Sequence, residues 1–143
     1  MRAAWRDDVA TLAWAGRQPQ SHAGAYCWSK RVCAAAAETG NLAVLQWLRA
    51  GRQPCPWGAD TCTAAAGGGH LHVLQWARQQ QPPCPWSDWA CKAAAEGGHL
   101  PVLQWVRQQQ LPCPWDEETC DAAAERGHLP MLQWARQQQP PCP

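Results

Sequence analysis

The chain has 143 residues, enough for about one domain on the usual scale of ~150 residues per domain. Its formal net charge is +1, from 12 basic and 11 acidic residues, so the overall charge gives no reason to expect a nucleic acid or a membrane as partner. Asp7 and Asp8 interrupt the start of the chain where a secretory signal needs an apolar run, and nowhere do about 18 apolar residues follow one another. These features predict a soluble protein located in the cytoplasm.

Residues 1–27 form the irregular part of the chain. Leu12 and Trp14 have the spacing of later Leu and Trp residues, so this segment is interpreted as a degenerate N-terminal repeat that caps the later ones. A helix is expected over residues 7–15, with Gly16 ending it.

From residue 28 onward the chain repeats itself without a gap. The four copies are residues 28–56, 57–85, 86–114 and 115–143. Each copy starts with Trp and ends with Cys-Pro, and a second Trp and a second Cys also stay in register. The period of about 29 residues lies within the range of roughly 20 to 50 residues that is typical of solenoids, propellers and linear arrays.

Two helices are predicted in each copy. The first follows an N-cap type of residue at the second position, runs through a stretch of Ala, and ends at a glycine such as Gly69 or Gly98. The second begins near Leu71, Leu100 or Leu129 and ends before the prolines of the Cys-Pro-Trp connector. Helices of about ten residues are unstable alone in water, so the copies must stack. The two Trp series are expected to form the spine of the core.

Residues 119–133 resemble the ankyrin repeat, with its first helix, Gly-His turn and second helix. Their sequence is ThrCysAspAlaAlaAlaGluArgGlyHisLeuProMetLeuGln. The resemblance covers most of residues 28–143 and is closest to the Cys-Pro-Trp variant of ankyrin-like repeats in algal, oomycete and giant-virus proteins. It implies an all-α fold, an α-solenoid of stacked helix-turn-helix repeats. The copies are about four residues shorter than the family unit of ~33 residues, so short loops are expected in place of full β-hairpins.

Cysteine and histidine recur in every full copy, which raises the question of a metal site. Cys62 and His70 lie eight residues apart across a helix and its turn, about 12 Å at 1.5 Å per residue, too far to share one ion. No metal site is therefore predicted, and the Cys series is interpreted as buried packing. His70 and its equivalents are expected to hydrogen-bond across the turn between the two helices. A disulfide between Cys55 and Cys62 remains open because the loop is short, although this pair is expected to be reduced in the cytosol.

No catalytic constellation is predicted. The acidic run from Asp116 to Glu118 is interpreted as a solvated helix start, where carboxylates are favourable. A Ser/His/Asp or Cys/His pair with an orienting partner is not recognisable, so neither an enzyme nor a cofactor is expected. The Arg series at the ends of the second helices is interpreted as solvated, with phosphate binding as the less favoured alternative.

The copies differ mainly at their third, fourth, seventh and eleventh residues. This spacing places the four positions on one side of the first helix, here called the helix-one face, and in a solenoid such a face lines the concave binding surface. An exposed Trp89 on this polar stripe would be a typical interface anchor. The residues predicted to bind a partner are Lys30, Arg31, Asp60, Thr63, Asp88, Trp89, Lys92, Glu117, Glu118 and Asp121.

The sequence therefore predicts a non-catalytic scaffold for protein–protein interaction. The alternative is a metal- or redox-responsive Cys-rich repeat protein. The chain stops at Pro143, where a fifth Trp would begin, which predicts either a fragment of a longer array or end-to-end self-association.

Overall fold

The computed structural model of the chain describes residues 30–50, 54–109, 115–138 and 141–142. Within these ranges the chain forms eight α-helices and no strand, so the predicted all-α class is confirmed there. The predicted helix over residues 7–15 lies outside the described residues. In chain order the helices are α1 (Lys30–Glu38), α2 (Leu42–Ala50), α3 (Ala59–Gly68), α4 (Leu71–Gln79), α5 (Asp88–Gly97), α6 (Leu100–Arg107), α7 (Glu117–Glu125) and α8 (Leu129–Arg136).

The first helix of each pair is followed closely by a glycine in the left-handed conformation. Gly69 after α3 has φ 76°, and its N–H donates to the Ala66 carbonyl at 3.1 Å, while the N–H of the next residue, His70, donates to Ala65 at 2.9 Å. These two hydrogen bonds satisfy the last carbonyls of the helix, and the left-handed position between them favours a residue without a Cβ. The turn is therefore closed, and the second helix starts immediately after it.

Three of the first helices begin directly after the predicted N-cap residues, but not every one of these residues caps its helix with a side-chain hydrogen bond. Gly58, Ser87 and Asp116 are the N-cap residues of α3, α5 and α7. Among these three, only the Asp116 side chain accepts a capping hydrogen bond, from the Thr119 N–H at 3.3 Å.

Helix–helix contacts run along the chain mainly through the first helices. The helix α1 packs against α3, α3 against α5, and α5 against α7, while each second helix packs on the first helix of its own pair. Ala36, Ala65 and Ala94 are completely or almost completely buried in these helices. Their methyl groups permit a short distance between helix axes, which explains the close stacking.

The core is made of aliphatic and small residues, and the Trp rings flank it. Leu45, Leu74 and Leu103 are fully buried, whereas the Trp residues beside them are half-buried and pack against the buried cluster. Trp86 meets Trp105 edge to face, with ring centroids 5.9 Å apart, and the copies before and after show the same geometry. The expected Trp spine is thus a set of paired rings beside a Leu and Ala core. None of the described helices combines the length and the apolar character needed to cross a membrane.

Candidate functional site

The helix-one face lies at the surface in all four helix pairs. Every residue at its third, fourth, seventh and eleventh positions is partly or fully exposed. Trp89 on α5 has 58% of its surface exposed, although a Trp side chain is normally well covered in a folded domain. The face is otherwise polar, so Trp89 is its one large apolar group among the described residues.

Trp89 stands at the edge of a small cleft between α5 and the start of α7. The cleft has a volume of about 130 Å³ and is lined by Asp88, Trp89, Lys92, Asp116 and Glu118. The Lys92 ammonium donates to a Glu118 carboxylate oxygen at 2.8 Å and lies 4.7 Å from the centre of the Trp89 ring. The hydrogen bond with Glu118 raises the pKa of Lys92 above its ordinary value. A cation on an indole face beside carboxylates is therefore a contact that this surface already makes.

A second, larger cleft lies between α1 and α3. It has a volume of about 570 Å³, and its lining includes Glu38, Asp60, Thr63 and Gly67. Glu38 and Asp60 are exposed, so this cleft presents carboxylates to solvent. Together the two clefts place acidic groups along successive first helices.

The clefts bring together six of the ten residues predicted to bind a partner. Asp60 and Thr63 line the larger cleft, and Asp88, Trp89, Lys92 and Glu118 line the smaller one. The other four are exposed but line neither cleft: Lys30, Arg31, Glu117 and Asp121.

Two charged residues that line the clefts, Glu38 and Asp116, are absent from the predicted set. Glu38 is an eleventh-position residue that the same spacing contains, so the signal for it was present in the sequence. Asp116 carries only the signal of a helix start, and its place in the smaller cleft depends on how α5 and α7 pack.

The histidines of the turns connect neighbouring repeats. His70 Nε2 lies 2.9 Å from the Glu38 carbonyl oxygen, 32 residues earlier, and His99 and His128 repeat this contact at 3.0 Å. Because a carbonyl only accepts, Nε2 carries the proton and donates it. The expectation that these rings bond across their own turn is therefore wrong. Each ring covers the left-handed glycine of the preceding copy, and a Cβ on Gly98 would lie 2.6 Å from His128.

Three of the four Arg residues at the ends of the second helices, Arg49, Arg78 and Arg107, pack against Trp rings. The Arg78 guanidinium lies 4.2 Å from the centre of the Trp86 ring, and its Nη1 donates to the Cys84 carbonyl at 2.7 Å. Arg49 makes the same two contacts with Trp57 and Cys55. Arg136 is exposed, but Arg49 and Arg78 are half-buried, so the interpretation as solvated helix ends is wrong for these two residues. Their role is to hold the connector onto the end of the second helix.

The cysteines pair within a copy, 22 residues apart. Cys120 and Cys142 form a disulfide with their Cα atoms 6.5 Å apart. The thiols of Cys33 and Cys62 donate to the carbonyls of Cys55 and Cys84, at 3.7 and 3.8 Å.

The pairing differs from the one left open by the sequence. The neighbour of Cys55 is Cys33, and the disulfide between Cys55 and Cys62 is not formed, since both residues keep their thiols. Cys55 and Cys62 are free thiols, as expected for this pair, whereas Cys120 and Cys142 are bonded to each other.

Comparison with protein-family models, with curated proteins and with solved structures finds no match for this chain. In the described part of the chain, no group of three or more His, Cys, Asp or Glu residues is arranged to hold a metal ion. The function must therefore be argued from the geometry of the helix-one face.

Proposed function

We propose that this chain is a non-catalytic scaffold, an α-solenoid of ankyrin-like repeats that binds another protein through its helix-one face. The observation that carries the proposal is the 58% exposure of Trp89 on a face that is otherwise polar. Exposed aromatic anchors surrounded by polar groups are typical of protein interfaces. Repeat proteins commonly bind through the inner helices of the stack, and the first helices form the continuous stack here.

Charge segregation indicates the chemistry of the partner. All acidic residues in the described ranges lie on a first helix or at its N-cap: Glu38, Asp60, Asp88, Glu96, Asp116, Glu117, Glu118, Asp121 and Glu125. The first helices contain only Lys30, Arg31 and Lys92 as basic residues in these ranges. The partner is therefore a protein with Lys or Arg side chains on its contact surface, and the contact between Lys92, Trp89 and Glu118 is the pattern that such a side chain would reproduce.

The remaining elements of the proposal concern location and other ligands. The protein acts in the cytoplasm, without a cofactor or a nucleic-acid partner. Three of the four Arg groups that could track phosphates, Arg49, Arg78 and Arg107, instead lie on Trp rings, which supports a protein as the partner.

The variant Trp89→Ala tests this function. The wild-type chain is used to isolate a partner from the cells that produce it, and the purified pair is measured by calorimetry. We expect Trp89→Ala to weaken binding by more than about 1 kcal/mol, because the anchor loses its apolar and cation-binding surface. Affinity should also fall as salt rises, since the partner is basic.

Leu129→Ala is the matched control. Leu129 is 60% exposed but begins α8, away from the helix-one face, so its removal should leave affinity unchanged. Equal affinities for wild type and Trp89→Ala would refute the proposed surface.

A further inference from the structure

The cysteine pairs show a regularity that a scaffold does not require. The sixth residue of a copy, on the first helix, faces the twenty-eighth, in the connector, in three of the four copies: Cys33 with Cys55, Cys62 with Cys84, and Cys120 with Cys142. The remaining pair, Cys91 and Cys113, has the same spacing, and Cys113 lies outside the described residues. Cysteines used only for packing would not need to meet in pairs.

The pairs that carry thiols have the contacts required for a disulfide. Cys33 hydrogen-bonds to the Cys55 side chain, and this bond together with burial raises the pKa of Cys33, while the same bond lowers the pKa of Cys55. In the second pair the hydrogen bond with Cys62 and burial raise the pKa of Cys84. The Cys33 thiol also lies 3.7 Å from the Cys55 carbonyl oxygen, and the Cys62 thiol lies 3.8 Å from that of Cys84, so each thiol is close to its partner cysteine.

The pair in the last copy shows that the backbone at these positions accommodates the bond. The Cα atoms of Cys120 and Cys142 are 6.5 Å apart. This distance lies inside the range of about 4.4 to 6.8 Å that disulfides span. The same positions in the other copies are therefore suited to the same bond.

We infer that each repeat carries a dithiol site at its sixth and twenty-eighth residues, which a low-molecular-weight disulfide oxidises to an intra-repeat disulfide. The bond fastens the connector to the first helix of the same copy. Four such sites use eight of the nine cysteines. Cys27 is left over, because it precedes the first copy and falls one residue out of register with Cys55.

The reaction with oxidised glutathione balances as a two-electron exchange. One cysteine loses its proton, and its thiolate attacks a glutathione sulfur, which breaks the S–S bond and releases one glutathione thiolate that takes up the proton. The second cysteine then loses its proton and attacks the protein sulfur of the mixed disulfide, and the displaced second glutathione takes up that proton. The two protein thiols are oxidised, and one glutathione disulfide is reduced to two molecules of glutathione.

Access to the sulfur atoms depends on the connector. Cys62 and Cys84 are both fully buried, so glutathione can reach them only when the connector opens. The Cys84 N–H donates to the Ala77 carbonyl at 3.0 Å, and its carbonyl accepts from Arg78. These hydrogen bonds must break before the connector can open and the reaction can take place.

The test uses the full chain, reduced and then equilibrated with defined mixtures of reduced and oxidised glutathione. Remaining thiols are alkylated, and intact mass and non-reducing peptide maps are recorded. As the glutathione mixture becomes more oxidising, we expect the number of alkylated thiols per chain to fall from nine in steps of two, until only Cys27 is alkylated. The peptide maps should show linked peptides that join the two cysteines of one copy. The oxidised chain should melt at least about 5 °C higher than the reduced one, because the bonds join groups already adjacent in the folded protein.

Three variants separate this site from incidental oxidation. The double variant Cys62→Ala/Cys84→Ala should form one disulfide fewer and keep the other three pairs. Alanine is chosen because it suits a small buried position. Cys62→Ala alone should leave Cys84 as a stable mixed disulfide with glutathione, and Cys27→Ala should still lose eight thiols.

Three outcomes would overturn the inference. They are linkages between neighbouring copies, nine alkylated thiols in excess oxidised glutathione, and a lower melting temperature after oxidation. None of these readouts depends on the result for Trp89, so the dithiol sites and the partner-binding surface are tested separately.

Discussion

Gly98 and Gly127 occupy the same position in successive copies but have different neighbours. Both have the left-handed backbone, with φ of 71° and 76°. A Cβ on Gly98 would lie 2.6 Å from the His128 ring, whereas a Cβ on Gly127 would meet nothing within 4 Å. Substitutions at these two glycines therefore distinguish the free-energy cost of a left-handed backbone with a side chain from the cost of a steric clash.

We expect Gly127→Ala to lower the free energy of unfolding by about 1 to 2 kcal/mol, the cost of a left-handed L-residue. Gly98→Ala should cost about 2 kcal/mol more, because the methyl group displaces His128 and breaks its bond to the Glu96 carbonyl. Urea denaturation followed by circular dichroism measures both.

A double variant provides the control. Gly98→Ala/His128→Ala removes both the clash and the ring, so its cost should be smaller than the sum of the two single variants. If the changes in the free energy of unfolding of the two single variants simply add up in the double variant, the His128 ring does not contact Gly98 closely enough to clash with a Cβ.

The hydrogen-bond partners of the turn histidines could not be assigned from the sequence, because all copies have the same length. His70 bonds to the carbonyl of Glu38, 32 residues earlier, and the equivalent carbonyl in its own copy is that of Gly67. Because the copies are equal in length, the sequence describes both arrangements identically. The same ambiguity applies to Cys55, which could meet Cys33 of its own copy or Cys62 of the next. Only the structure distinguishes contacts within a repeat from contacts between repeats.

At the scale of the element, the connector is the part that depends most on specific contacts. Arg78 joins it to α4 through the Trp86 ring and the Cys84 carbonyl. In the last copy Arg136 is exposed, its bond to the Cys142 carbonyl is 3.4 Å long, and the described residues place no Trp ring over it.

Arg78→Gln should therefore lower the free energy of unfolding by about 2 kcal/mol, since it removes a cation–π contact of about 0.5 to 1 kcal/mol and a hydrogen bond of about 1 kcal/mol. Arg136→Gln, the same change in a looser setting, should cost less than about 0.5 kcal/mol. Thermal or urea denaturation compares them, and equal effects would contradict the role given to the Trp contact. Arg78→Gln should also speed the oxidation of Cys62 and Cys84 relative to Cys33 and Cys55 in the same molecule.

The helices themselves are largely predictable from the sequence, in contrast to the connectors. Leu71, Leu100 and Leu129, expected near the start of the second helices, are their first residues. Glycine after an Ala-rich run marks the ends of the first helices, because both signals are local. The Arg–Trp contacts could not be predicted because they depend on how the connector folds back. On the helix-one face, spacing predicts which residues lie at the surface, but not which of them share a cleft.

At the scale of the whole molecule, no helix of the described ranges packs against the side of α7 that faces away from α5 as the first helices pack against one another. Ala37, Ala66 and Ala95 are completely buried, whereas Ala124 at the same position is exposed. The end-to-end self-association expected from the sequence remains a prediction, and this surface is where it would take place.

We expect the apparent mass in light scattering to rise with protein concentration, and Ala124→Asp to suppress the rise by placing a charge on the stacking surface. Arg126→Ala, which alters an exposed residue beyond the end of α7, serves as the control. A constant monomer mass for the wild-type chain would exclude self-association.

The recurring bonds between distant residues also bear on how the chain folds. They span 22, 26 and 32 residues, close to one repeat length, in each copy where they occur. The entropy lost in closing a loop grows only with the logarithm of its length, so every added repeat closes a loop of similar size at similar cost. Folding can then start at any adjacent pair of repeats and spread in both directions, like a zipper. The slow step would be the formation of that first pair, and lengthening the array would add starting points without making this step harder.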